Sequence, residues 1–296
     1  KQARTTLWRN LALFCATLNL VLAAGLSWRH FRPSPDIRPA MLPWTAIFRP
    51  PHLTQIITSD PAIAEVQALT GNAISVSDYA NHTYLPNPQQ LSPESYRTSE
   101  MVLGGGNIAA VDPMIAVEIA VTAQSSAKFI RVHSARNLRM ADLKTDDNFV
   151  FLGSPRSDPW SALFSDQLDF RFVYSKSYGQ EIIRNFRPQP HELPQYLPTA
   201  LGGGTGQSFA IVALVQNLDQ NGQVLLLAGA DAEGTEAAGR FVTDLPRLSA
   251  TLQQCGIPDA GPIRHFEVLL RINTMAGSPN GTDVVACHLL SPTAGS

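Results

Sequence analysis

Cysteine is scarce in this chain. Cys15, Cys255 and Cys287 are the only three, with no C-x-x-C pair and no His/Cys cluster, which excludes a structural zinc site of the ribbon or finger type. The seven histidines are scattered, with neither H-E-x-x-H nor His-x-His spacing, so no metalloprotease signature is present. There is also no G-x-S-x-G elbow of the α/β-hydrolase type. The run GGGTG at 202–206 lacks the following Lys-Ser/Thr and precedes a strand pattern, so it reads as a flexible flap or connector and not as a phosphate loop. Gly104, Gly105 and Gly106 lack the G-x-G-x-x-G pattern and read as a hinge or turn. No internal repeat is visible. These absences leave no cofactor expected and no reaction signature.

Charge is thin and uneven. The first 38 residues hold six basic side chains against Asp36 alone, a net of +5, while the remainder has 16 basic and 23 acidic, a net of −7. A basic collar beside an acidic body suits a membrane neighbour and argues against direct nucleic-acid contact by this portion. What is plentiful is one apolar run. Residues 10–27 (NLALFCATLNLVLAAGLS) carry no charge and are bracketed by Trp8–Arg9 and Trp28–Arg29. Between the two tryptophans a helix rises roughly 30 Å, the thickness of a bilayer's hydrocarbon core, and indole rings favour its interfaces. The expectation is a single transmembrane helix; a signal peptide cleaved near Ala23–Ala24–Gly25 is the alternative. Three basic residues on each side leave the positive-inside rule undecided. The expected location is the bacterial inner membrane, single-pass, with the body on the periplasmic side. Cys255 and Cys287 could pair there in an oxidising compartment, or serve as small core residues.

The expected organisation is a transmembrane helix with basic flanks (1–30), a proline-rich linker and docking helix (31–50), an α/β body (51–291) and a short tail (292–296). The body's candidate lobes are 51–150 and 151–291. Strand patterns fall at 53–58, 128–133, 148–152, 169–174, 180–184, 208–215 and 223–228, and helix patterns at 62–69, 108–121, 160–164, 235–242 and 245–255. Asn221–Gly222 favours a tight hairpin between 208–215 and 223–228. Residues 265–275 and 282–289 alternate apolar and polar side chains, as a terminal β-hairpin does. Alternating strands and helices followed by hairpins predict a mixed-sheet sandwich, Rossmann-like or periplasmic-binding-protein-like.

Three strand–loop–helix junctions share one design, with polar residues where helix N-termini offer free N–H groups beyond strand ends. They supply the candidate ligand-binding residues: Ser59 and Asp60; Gly153, Ser154, Arg156 and Ser157; Gly234 and Thr235. Gly153 permits close approach and Arg156 adds a fork-shaped cation suited to carboxylate or phosphate. A well-capped turn explains the same residues without a ligand: Ser59–Asp60–Pro61 and Ser157–Asp158–Pro159 both read as helix starts, and Thr235 as a capping hydroxyl. Asp112 and Glu118, six apart on one helix, face different ways and make no acid–base pair.

The strings FVFLGSPRSDPW, LLLAGADAEGTEAAGRF and HFEVLLRINTMAG resemble a group of uncharacterised bacterial proteins in which a winged-helix DNA-binding domain often precedes one membrane helix and a C-terminal α/β domain. The resemblance spans roughly residues 42–290. The group's turn usually reads Ser-Pro-Arg-Ser-Asn-Pro-Trp; here Asp158 replaces the Asn, which keeps the cap but sets a negative charge beside Arg156. What the resemblance implies is architecture, a membrane-tethered sensory or interaction domain. Two roles compete: a non-enzymatic sensory domain taking a small polar or anionic ligand, part of a signalling or transcription-regulatory protein, and an accessory subunit of a membrane complex. Both have the lipid bilayer as neighbour, and the second has other membrane subunits as partners. A hydrolase using Ser154 is the weakest alternative.

Overall fold

The structure is a computed structural model and describes residues 41–290 apart from 106, 176, 201–203, 220 and 258–262. The apolar run 10–27 and its flanks lie outside the described residues. Among those described, no helix is long and apolar enough to cross a membrane. Arg38–Ser296 forms one compact unit.

The unit opens with a short helix α1 (Trp44–Ile47), then β1 (Thr54–Thr58), α2 (Pro61–Thr70), α3 (Val76–Ala80), α4 (Pro93–Gly104), α5 (Val111–Ala123), β2 (Ile130–Ser134), α6 (Met140–Leu143) and β3 (Asn148–Leu152). After a 3₁₀ helix at Pro159–Gln167 come β4 (Phe170–Ser175), β5 (Gln180–Asn185) and β6 (Gln195–Tyr196), which make a small antiparallel sheet of their own. Then follow β7 (Gly206–Gln216), β8 (Gln223–Gly229), α7 (Ala232–Thr243), α8 (Leu245–Gln254), β9 (Phe266–Met275) and β10 (Ser278–Leu289).

Seven strands form one mixed sheet in the order β10-β9-β7-β8-β3-β1-β2. Strands β2, β1, β3 and β8 run parallel, and β7, β9 and β10 continue antiparallel. The all-apolar β3 shows why both faces are covered: every residue is buried, and successive side chains point to opposite faces. Val150 and Leu152 join Trp44, Ile115, Ile119 and Phe241 on one side, whereas Phe149 and Phe151 join Trp160, Phe164 and Phe170 on the other. Because β3 pairs with β1 on one side and β8 on the other, residues from before and after position 150 share one sheet.

The local starts differ from expectation where a side chain has a stronger partner. Asp60 occupies the N-cap position of α2 yet makes no capping bond; its carboxylate is taken by Arg136 and Tyr79. Helix α7 begins at Ala232 instead of Thr235, because Asp231 caps it through the Gly234 N–H. The segment after Asp158 is 3₁₀, capped as expected by Asp158 accepting from Trp160 N. Cys255, at the end of α8, and Cys287, on β10, are joined by a disulfide.

Candidate functional site

In an open α/β sheet, ligands bind beyond the carboxyl ends of the strands, where the strand order reverses direction. Here the chain leaves β1 for β2 on one side, while β3 leads away to β8 on the other. The reversal lies between β1 and β3. A cavity of about 520 Å³ opens there, within the usual range for small-molecule sites. Its wall includes Ser59 after β1, Ser154, Arg156 and Ser157 after β3, and Gly229, Asp231 and Thr235 at the end of β8. The start of α5 adds Asp112, and the small sheet adds Glu181. All three expected junctions therefore meet in space.

Each group on the wall has a definite environment. Ser59 donates twice to Asp112 Oδ2, from its N–H and its hydroxyl, both at 2.7 Å. Asp112 is 1% exposed, and its second oxygen, Oδ1, is buried without a partner. Burial raises the Asp112 carboxyl above its ordinary range, against the opposing pull of the Ser59 bonds. Ser154 Oγ donates to Glu181 Oε2 at 2.9 Å. Burial pushes Glu181 up to about 7, outweighing that bond and the charge of Arg156. Asp231 Oδ1 accepts from Ser208 Oγ and Gly234 N, each at 2.7 Å; burial raises this carboxyl too. The Arg156 carbonyl accepts from Gln67 Nε2 at 2.7 Å, but its guanidinium makes no hydrogen bond or salt bridge among the described residues.

Two glycines let the backbones close in. Gly153 has φ +105°, and a Cβ there would sit 2.5 Å from Ser157 Oγ. A Cβ at Gly229 would lie 2.1 Å from Thr235 N, because β8 turns into α7 almost at once. Thr235 works from inside the helix: its hydroxyl accepts from Gly229 N at 3.3 Å and donates to the Asp231 carbonyl at 3.1 Å.

Asp60, Gly153 and Gly234 stand behind the wall and do not line it. Asp60 N donates to the Ser157 carbonyl at 2.6 Å, which ties the ends of β1 and β3 together. Its carboxylate holds Arg136 in a bidentate pair at 2.8 and 2.7 Å. Asp158, fully buried, leaves Oδ2 unpartnered and is raised well above the usual carboxylate range by burial and then by Asp112 and Asp60. The sequence reading missed Asp112, Glu181 and Asp231 as wall residues. Asp231 carried a signal, an acid three before Gly234 in a D-x-x-G helix start. Glu181 carried none, since only the docking of β5 brings it to Ser154.

A second buried cluster lies elsewhere. His288 on β10 sets Nδ1 3.1 Å from Asp169 Oδ2 and 3.3 Å from Glu267 Oε1, and Nε2 3.0 Å from Glu192 Oε2. The donors of Asp169, Glu267 and His288 are close enough for a metal ion, yet an imidazolium satisfies them already, with an N–H toward carboxylate on either side. Burial alone would lower this ring, but hydrogen bonds to Glu267 and Glu192 raise it to about 9. Glu267 also accepts from Asp169 N and Phe170 N. The cluster thus ties β9 and β10 to the start of β4.

Comparison with protein-family models, with curated proteins and with solved structures finds no match for this chain.

Proposed function

We propose that residues 41–290 form the ligand-binding domain of a single-pass membrane protein, with a small polar ligand held in the cavity at the carboxyl edge of the sheet. The observation that carries this reading is the convergence of three strand ends on one cavity whose wall brings Arg156 together with Asp112, Glu181 and Asp231. Three carboxylates line the wall against one arginine, which favours a polar ligand over a simple anion. No histidine lines the cavity, which supports binding over acyl transfer of the Ser–His type. The Cys255–Cys287 bridge supports placing the body in an oxidising compartment, the periplasm, with the run 10–27 as the anchor. The same tethered architecture is what the resemblance to winged-helix membrane proteins implies. The test is thermal-shift screening of the detergent-solubilised chain with polar metabolites. A melting temperature raised by a ligand in wild type, and not in Arg156→Ala, is the expected result; no shift by any ligand contradicts the reading.

One observation favours the accessory-subunit role. Met114, Val117 and Val121 on α5 and Val132 on the edge strand β2 are each more than half exposed, an apolar stripe of the kind partners cover. Stoichiometric co-purification with other membrane proteins, lost on Val117→Glu, would support it.

A further inference from the structure

Helix α5 is apolar on both sides. Ile115, Ala116, Ile119 and Ala123 face the core. Met114, Val117 and Val121, spaced i, i+3 and i+7 on one outward face, are 51%, 63% and 71% exposed. A helix at a domain surface ordinarily carries polar residues there. The strip continues onto the edge strand β2. Val132 is 54% exposed; it pairs with Ile56 and shares its side of the sheet, the side that α5 covers. The rim of the strip is basic. Lys128 and Arg131 are exposed, and Arg131 Nη1 donates to the Lys128 and Ile130 carbonyls at 3.0 and 2.8 Å, which sets its guanidinium beside the turn that carries Lys128. Between Asn107 and Arg139 the acids are Asp112, which is buried, and Glu118, which accepts from Thr243 Oγ1 at 3.3 Å. This positive rim belongs to a body that is otherwise acidic, with 16 basic and 23 acidic side chains after residue 38.

An apolar strip edged by cations is the pattern that lies in an anionic membrane interface. Its apolar side chains enter among the acyl chains while Lys and Arg reach the phosphates. A second copy of the chain would bring a second basic rim and no acid to answer it. The path of the chain favours lipid as well. Met41, Leu42 and Trp44 are buried with Ile115 and Ile119, so the chain enters the unit on the face of the sheet that α5 covers. The thirteen steps from Trp28 to Met41 reach at most about 45 Å. We infer that the strip of Met114, Val117, Val121 and Val132 docks on an anionic bilayer surface, with Lys128 and Arg131 at the lipid phosphates. The inference takes 10–27 as a membrane span, the reading proposed above, and is independent of what the cavity holds.

The experiment uses the full chain with Cys15→Ser, reconstituted in vesicles of equal parts phosphatidylcholine and phosphatidylglycerol, or of phosphatidylcholine alone. A polarity-sensitive fluorophore is placed at Val117→Cys or, on the opposite edge strand β10, at Val284→Cys, and its quenching by doxyl-labelled lipid is read. The expected result is roughly twofold quenching at 117 in the anionic vesicles, less in the neutral ones, and little at 284 in either. Lys128→Glu combined with Arg131→Glu should bring quenching at 117 down to the level of 284, with the far-UV circular-dichroism spectrum unchanged. A blue-shifted label at 117 that doxyl lipid does not quench assigns the strip to a protein partner and overturns the inference. Equal quenching at 117 and 284, or no change at 117 in either vesicle, overturns it too. Equal quenching at 117 in the two kinds of vesicle overturns the part given to anionic lipid. Washing with alkaline carbonate tests the span separately: a chain that is extracted overturns the anchor, and quenching at 117 by that chain before the wash leaves the docking surface standing.

Discussion

His288 gives the fold a pH dependence that follows from its surroundings. Its folded pKa is raised to about 9 from an ordinary 6.5, so the clamp on Asp169, Glu267 and Glu192 is fully stabilising below about pH 6.5 and is lost as pH climbs through 9. The melting temperature should therefore fall across that window, by an amount corresponding to the order of 3 kcal/mol. His288→Gln should flatten the profile, and ring titration followed by NMR should give a midpoint near the upper end. A flat wild-type profile contradicts the clamp. Glycines separate two kinds of cost at the same scale. At Gly229 an added methyl meets backbone 2.1 Å away, and backbone cannot yield as a side-chain tip can. Gly229→Ala should cost about 3 kcal/mol or more. At Gly71 there is open space but φ is +68°, so Gly71→Ala should cost only about 1 kcal/mol. Urea denaturation of both variants checks the contrast.

Between elements, the Asp60–Arg136 pair links the β1 end to the short helix after β2. Asp60 is 1% exposed and Arg136 a quarter exposed on their side chains. Arg136→Ala should destabilise by about 3 kcal/mol, since it strands a buried carboxylate. Arg136→Lys should rescue only part of this, because an ammonium cannot reproduce the bidentate geometry. The Cys255–Cys287 bridge closes a loop of 32 residues, and reducing it should cost roughly 3–4 kcal/mol, measurable by denaturation with and without dithiothreitol. Elements with one dominant pattern were legible in the sequence. The apolar β3, the hairpin of β7 and β8, and the alternating β9 and β10 all appear where periodicity put them. Element starts were less legible, because they depend on partners far along the chain. Asp60 reads as a cap until Arg136, 76 residues on, takes its carboxylate. The three junctions were visible as polar turns, but their meeting at one cavity is a property of strand order, which local pattern does not encode. Glu181, Glu267 and His288 gained their partners only through tertiary packing.

At the scale of the whole unit, one sheet has a core on each face, with Trp44 buried in one and Trp160 in the other. In a variant retaining a single tryptophan at either position, the fluorescence midpoint should coincide with that variant's own loss of far-UV circular dichroism. Fluorescence and circular-dichroism midpoints that separate within one variant would divide the body into lobes that the shared sheet argues against. The cavity borrows its wall from positions 59 to 235 and exists only when β1, β3, β5 and β8 are all in place, so the ligand proposed for it should stabilise the entire unit.

The placement of that wall also bears on how such a protein diverges. The residues lining the cavity sit mostly in connections, whereas the interiors of β1, β3 and β8 contribute none of them. On the proposed reading, selectivity and foldability vary separately: changes at Ser154, Arg156 and Ser157 should alter what is held in the cavity while the strand interiors keep their packing, provided Gly153 is kept.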